Sequence, residues 1–534
     1  MRNTKIYCVV VFTVISLGCN RSFETTAALS AVDIQVNITG GIIEGTTEKN
    51  GVRVFKGIPF AAPPVGKLRW KAPQPVIPWE GVRQAKKFAP SPMQNSFIPV
   101  WFMGVPNNFS EDCLYLNVWT PARANSERLP VMVWIYGGAF SLGSTATPVY
   151  DGARLAKKGV LVVSVAYRVG PFGFLAHPEL GTEGGTGNFG LLDQIAGLEW
   201  VRDNIAAFGG DPACVTIFGE SAGGVSVSML AISPKARGLF HRAISQSGGS
   251  FTPPKRSNEG AQLIPTLEIA EKEGVEFLAK IKAKNITAAR ALSAKAILKG
   301  GSGGRPNYDG DVLPGDPYEL YQKGSYNDTP ILIGINSDEG RLFVRTNVSP
   351  VMFTTRVREA FGRHADAILA VYPHAAKAQA TKSSREIVGD VLFGWPTWTW
   401  ARLQSQKGSH PAFVYYFDHR TPKSPDGAGH AAEIEYVFGN LKKPRPEDTK
   451  MFDLMSTYWV NFARTGNPNG SEMPPWRPFT AEDQQVMYLG ASCGMQPVQH
   501  RERLEVLDGY YAWQREQASK TSDENNTGQS VMVK

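Results

Sequence analysis

From Val32 onward the chain alternates short apolar runs rich in β-branched residues with longer amphipathic stretches. Residues 129–136 (LPVMVWIY) and 160–166 (VLVVSVA) are continuously apolar, as strands buried on both faces are. Residues 188–204 carry helical periodicity, followed by a strand at 215–218 and a helix from Ala222. Further strands are expected at 331–335 (ILIGI) and 412–417 (AFVYYF). Strand–helix alternation of this kind predicts an α/β fold: a large, mostly parallel central sheet with helices on both faces. Two regions fall outside the rhythm, 254–304 and 351–403. Both are helix-prone and are expected as cap insertions, the second holding Phe393, Trp395, Trp398 and Trp400, for most of which simple packing is the expected role. Residues 517–534 read as a frayed polar tail.

Composition narrows the classes. The chain has 534 residues, 42% hydrophobic and 19% charged, enough for a large buried core. Its 54 glycines and 37 prolines indicate many turns and loops. The formal net charge is +8, but lysines and arginines are scattered, so nucleic-acid binding is not expected. Arg2 and Lys5 precede an apolar run at 6–17, as in an export signal, here taken as residues 1–30. That run is too short to span a bilayer comfortably. Ser16-Leu17-Gly18-Cys19 resembles a lipobox, which would anchor the chain by lipid at Cys19; ordinary cleavage near 27–31 is the alternative. A periplasmic, secreted or envelope-anchored protein is expected, with one catalytic domain over 31–516. Beyond the signal only Cys113, Cys214 and Cys493 remain, so at most one disulfide could close. No Cys/His cluster has metal-ligand spacing, and neither a metal nor a cofactor is expected.

The chemistry centres on Ser221, in Phe218-Gly219-Glu220-Ser221-Ala222-Gly223-Gly224 directly after the strand at 215–218. A serine on so tight a strand-to-helix turn needs small neighbours, which Gly219 and Gly223 supply. The Gly-x-Ser-x-Gly pattern recurs around Ser302, but there it follows a helical stretch and runs into Arg305-Pro306, so it reads as a loop. A serine nucleophile needs a base, and the base an orienting acid; after such a turn the chain order is Ser, Asp or Glu, His. Glu339 and the adjacent Asp338 both lie just beyond the strand at 331–335, with Glu339 preferred. His430 follows the turn 425–429 after the strand at 412–417, with His419 second. Gly138 and Ala139, after the strand at 129–136, and Ala222 are candidates for oxyanion-binding N–H groups.

These residues resemble the type-B carboxylesterases, the family of cholinesterases and bacterial p-nitrobenzyl esterases. The resemblance runs from about Gly45 to Phe479. It is carried by Phe55-Lys56-Gly57-Ile58-Pro59-Phe60-Ala61, Ser110-Glu111-Asp112-Cys113-Leu114-Tyr115-Leu116-Asn117, the block 188–224 and Gly429-His430-Ala431-Ala432-Glu433-Ile434-Glu435-Tyr436-Val437-Phe438-Gly439. It implies an α/β-hydrolase fold and assigns Ser221, Glu339 and His430 as a triad, with Gly138, Ala139 and Ala222 as oxyanion hole. By the same similarity Glu220, Ser247 and Glu433 are polar residues around the triad. The cysteine that often pairs with Cys113 is missing, which implies a free buried thiol. No choline-binding tryptophan aligns clearly, although Trp101 lies in the relevant loop. The implied activity is hydrolysis of small-molecule carboxylic esters; the basic charge balance, not the resemblance, points to bulky or anionic ones, including polycarboxylate esters of natural toxins or xenobiotics. Lipase or amidase action on the same site is the nearest alternative, and a non-catalytic adhesion homologue the alternative of another class.

Overall fold

Eleven strands form one sheet in the computed structural model, which describes residues 34–95, 104–255 and 264–530. In chain order they are β1 (Thr46–Thr47), β2 (Arg53–Pro59), β3 (Tyr115–Thr120), β4 (Leu129–Ile135), β5 (Leu161–Val165) and β6 (Gly210–Glu220). They continue with β7 (Arg242–Gln246), β8 (Ile331–Asn336), β9 (Ala412–Phe417), β10 (Gln485–Leu489) and β11 (Gly494–Pro497). Their order across the sheet is β11-β10-β9-β8-β7-β6-β4-β5-β3-β2-β1.

The centre, from β5 to β10, is parallel throughout. Both edges are antiparallel: β10 pairs with β11, and β5, β3, β2 and β1 pair in succession. The sheet is therefore mixed, and its apolar runs explain the division. β5 is buried at all five positions, as a strand covered on both faces must be. β11, on the edge, has no fully buried residue.

Helices cover both faces. Helix α1 (Ala222–Ile232) packs on β6 and β7, α2 (Trp395–Lys407) on β8 and β9, and α3 (Pro446–Thr465) on β4 and β6. Within 254–304, helices at Leu267–Lys280, Ile286–Arg290 and Ala294–Leu298 bury Phe277, Leu278, Ile286 and Ile297 against Trp70, Phe172 and Leu175, in an apolar cluster separate from the main core. In 351–403 the tryptophans are packing residues with satisfied ring N–H groups. Trp395 donates to Asp508, Trp398 to Gln484 and Trp400 to the Tyr321 hydroxyl. Phe393 differs, as described below.

The last helix, Arg501–Ser530, continues into the segment read as a frayed tail. Its Arg515 is held by Asp316 and the Phe251 carbonyl, and Lys520 pairs with Glu516 one turn earlier. The export signal, Cys19 and Trp101 lie outside the described residues. Among the described residues no helix is long and apolar enough to cross a membrane. Cys113 is a free, buried thiol.

Candidate active site

The parallel strands all point their carboxyl ends the same way, and Ser221, Glu220, Ser247, Glu339, His430 and Glu433 gather there. Ser221 ends β6 and opens α1 with φ 56° and ψ −123°, a conformation unusual for any side chain but glycine. Its amide donates to the Gln246 carbonyl at 2.9 Å, tying the turn to the end of β7. The flanking glycines are steric necessities. A Cβ on Gly219 would lie 2.6 Å from backbone atoms of Gly223 and Ile135, and one on Gly223 only 2.0 Å from the Ile135 carbonyl.

His430 lies in the loop after β9, and its ring is buried. Its Nδ1 is 2.6 Å from Oε2 of Glu339, so Glu339, not Asp338, orients the ring. Burial raises the Asp338 carboxyl, with the charges of Arg385 and Arg341 pulling it back. His419 belongs to a different network, with Nε2 2.8 Å from Asp448. The other oxygen of Glu339 accepts from the Ser247 hydroxyl at 2.5 Å and the Asn336 amide at 2.7 Å. The acid is thus fully held, which fixes the ring it binds.

The opposite edge of the imidazole, Nε2, faces the turn that carries Ser221: Glu220 Oε1 stands 3.1 Å away. That oxygen is out of line for a hydrogen bond and has no such partner among the described residues. Burial pushes the His430 pKa down, but the carboxylates of Glu220 and Glu339 outweigh it and leave it at about 9. Burial likewise drives Glu220 up to about 8, against the pull of His430 and with Glu433 and Glu339 adding to the rise. Burial also raises Glu433, although Asn336 and Gln246 donate to its two oxygens.

The loop after β4 supplies the oxyanion candidates. Gly138, Ala139 and Phe140 all have positive φ, at 122°, 53° and 58°. Positive φ at three successive positions, two of them not glycine, marks a loop held in an uncommon backbone conformation. A Cβ on the preceding Gly137 would sit 3.0 Å from that of Ser221, so the loop lies against the nucleophile. Among the described residues the amides of Gly138, Ala139 and Ala222 make no hydrogen bond. Ser302 lies in an exposed loop with no helix after it, as expected.

Two participants were not singled out in the sequence. Asn336 ends β8; besides its amide on Glu339, its Nδ2 donates to the Gly429 carbonyl at 2.9 Å and to Glu433 at 2.5 Å. Gln246 ends β7; its carbonyl holds Ser221, its Nε2 holds Glu433 at 2.9 Å, and its Oε1 accepts from Trp459. The available signal is position: each is a polar residue at the carboxyl end of a buried strand. Phe393, expected from the sequence only as one of the aromatics of 351–403, stacks its ring on that of His430 at 4.6 Å and 23°.

The chain is similar to known esterases along most of its length. The model of the carboxylesterase family matches residues 32–506. The para-nitrobenzyl esterase of Bacillus subtilis is 37% identical over 488 residues, covering 88% of this chain and 97% of that protein. The fumonisin B1 esterase of Sphingopyxis macrogoltabida is 37% identical, covering 85% of this chain and 86% of that one. Rat carboxylesterase 1D is 36% identical, with 89% and 90% covered. A solved structure of a PNB esterase superposes with a TM-score of 0.77 at 35% identity, covering 89% of this chain and 99% of that one. The chain belongs to the carboxylesterase family and has the α/β-hydrolase fold; it is a serine carboxylesterase.

Proposed function

We propose that this carboxylesterase cleaves its esters through an acyl-enzyme on Ser221, with His430 as general base and acid and Glu339 as its orienting partner. His430 Nε2 takes the hydroxyl proton as the Ser221 oxygen attacks the ester carbonyl, and Glu339 stabilises the imidazolium. The oxyanion rests on the amides of Gly138, Ala139 and Ala222; each such donor contributes about 3 kcal/mol. As the tetrahedral intermediate collapses, the alcohol leaves with the proton from His430. Water, deprotonated by the same nitrogen, then releases the acid and restores the serine. No further reactant is needed.

The observation that carries this reading is the 2.6 Å contact of His430 Nδ1 with Glu339, which leaves Nε2 as the proton acceptor, facing the Glu220–Ser221 turn. For the substrate we propose bulky esters, including anionic polycarboxylate esters of toxins or xenobiotics. A para-nitrobenzyl esterase and a fumonisin B1 esterase among the relatives support bulk, and the net charge of +8 supports an anion.

Ser221→Ala tests the mechanism. The burst of p-nitrophenol from p-nitrophenyl acetate is expected to vanish while the fold survives; full turnover in this variant would end the assignment. A panel of acetate, long-chain, aromatic and tricarboxylate esters tests the substrate class.

A further inference from the structure

Between the helices Lys377–Gly389 and Trp395–Lys407 the chain makes a five-residue π-turn, Asp390–Gly394, closed by the Trp395 amide donating to the Asp390 carbonyl. A π-turn is costlier than an α-turn and admits an extra residue, rotating the side chains beyond it about the helix axis. Here it stands directly behind the catalytic groups. A Cβ on Gly389 would lie 3.1 Å from that of Glu339, and one on Gly340 only 1.9 Å from the Arg385 carbonyl. The helix that leads into the turn therefore backs the acid, and Phe393, within the turn, covers the base.

Asp390 opens the turn. Its Oδ2 accepts from the buried Tyr372 hydroxyl at 2.7 Å. Arg503, whose charge acts on Asp390, is already paired with Glu386 at 3.1 Å and lies over the Tyr372 ring. Enclosing a carboxylate costs free energy unless something holds it. Burial raises this one to about 6, with the Tyr372 hydrogen bond and Arg503 pulling it back and Glu386 and Glu502 pushing it further up.

We propose that Asp390 is a positioning residue for the base: gripped by the Tyr372 hydroxyl, it holds the π-turn in the shape that lays Phe393 across the His430 ring. The inference rests on His430 being the base. Phe393 closes one face of the imidazole, and Phe343, its ring 5.6 Å away, lies near as well. If the π-turn relaxes, Phe393 withdraws and the ring can tilt away from Ser221. Misplacement of reacting groups by about 1 Å costs up to ~100-fold in rate.

The test uses the full-length enzyme and p-nitrophenyl acetate. Asp390→Ala is expected to lower kcat about tenfold with KM nearly unchanged and to move the acid limb of the pH profile. Asp390→Asn, whose amide oxygen still accepts from Tyr372, is expected to stay close to the parent. If Asp390→Ala does not fold, Tyr372→Phe removes only the hydroxyl and is expected to act alike. Combining Asp390→Ala with Phe393→Leu decides the route: a double variant no worse than Phe393→Leu alone supports action through the ring. Strictly additive losses, or an unchanged kcat and pH profile in Asp390→Ala, would overturn the proposal. Activity surviving in His430→Ala would instead remove the reading of the base, so the two failures are distinguishable.

Discussion

Glu220 Oε1 and His430 Nε2 stand 3.1 Å apart, so the nitrogen proposed to serve Ser221 is also faced by the carboxylate of the preceding residue. The imidazole is surrounded by negative charge, with Glu339 on its other nitrogen and Glu433 close by. These carboxylates stabilise the imidazolium, and a protonated ring cannot accept the serine proton. Activity should therefore rise with pH as His430 loses its proton. In Glu220→Gln one carboxylate is gone, the imidazolium is less favoured, and its pKa falls. The acid limb of kcat/KM is expected to move to lower pH by about one unit. A pH–rate profile from pH 5 to 10, read against the parent, checks this; a limb that stays in place or moves upward would show that Glu220 does not set the proton affinity of the base.

Asn336 joins two parts of the site that are far apart in sequence, its amide on Glu339 and its side chain on Gly429 and Glu433. In Asn336→Ala the amide contact stays while the two side-chain bonds go, and Glu433 keeps only Gln246 of its side-chain donors. Leaving a buried carboxylate short of a partner costs about 1–3 kcal/mol. The expected outcome is a loss of that size in urea unfolding free energy together with a fall in kcat at little change in KM, because the loop before His430 loses one of its tethers and keeps those of Ala428 to Asp338 and Ser337. Asn336→Asp is expected to be worse, since it sets another carboxylate against Glu433. Equal stability in all three proteins would deny Asn336 this bridging role.

What was legible in the chain, and what was not, follows from where the information sits. Strands such as β4 and β5 are apolar without interruption, and their position in a buried parallel sheet could be read directly. The turn at Ser221 announced itself through Gly219 and Gly223, because backbone crowding admits few residues there. Asn336 and Gln246 carried no such mark. Their roles come from contacts 93 and 187 residues away, and no local pattern encodes a partner at that distance. The π-turn at Asp390–Gly394 was only half legible: Pro396, which has no N–H for the Leu392 carbonyl, marks an interruption of the helix but does not say which irregular turn takes its place. The edge strands were equally hard to read, since β1 has only two residues and neither is buried.

Gly223 and Gly429 lie near opposite partners of the proposed proton transfer, and alanine at each should have opposite consequences. Gly223 is the second residue of α1, where helix propensity alone would favour alanine by about 1 kcal/mol. Yet its Cβ would meet the Ile135 carbonyl oxygen at 2.0 Å, the Ile135 carbonyl carbon at 2.9 Å and the Tyr136 carbonyl carbon at 3.0 Å. All three are backbone atoms of β4 and its exit, which cannot rotate aside, so relief requires α1 to move off the sheet and take the Ser221 turn with it. Overpacking of this kind costs roughly 1–3 kcal/mol and sometimes more, which exceeds the propensity gain. Gly429, just before His430, has open space around its Cβ position and is not left-handed. Gly429→Ala is therefore expected to stay within about 0.5 kcal/mol of the parent in urea unfolding, whereas Gly223→Ala is expected to lose both stability and fluorophosphonate labelling of Ser221. Should Gly223→Ala unfold at the parent's urea midpoint and label at its rate, close contact between helix and strand is not what demands glycine there.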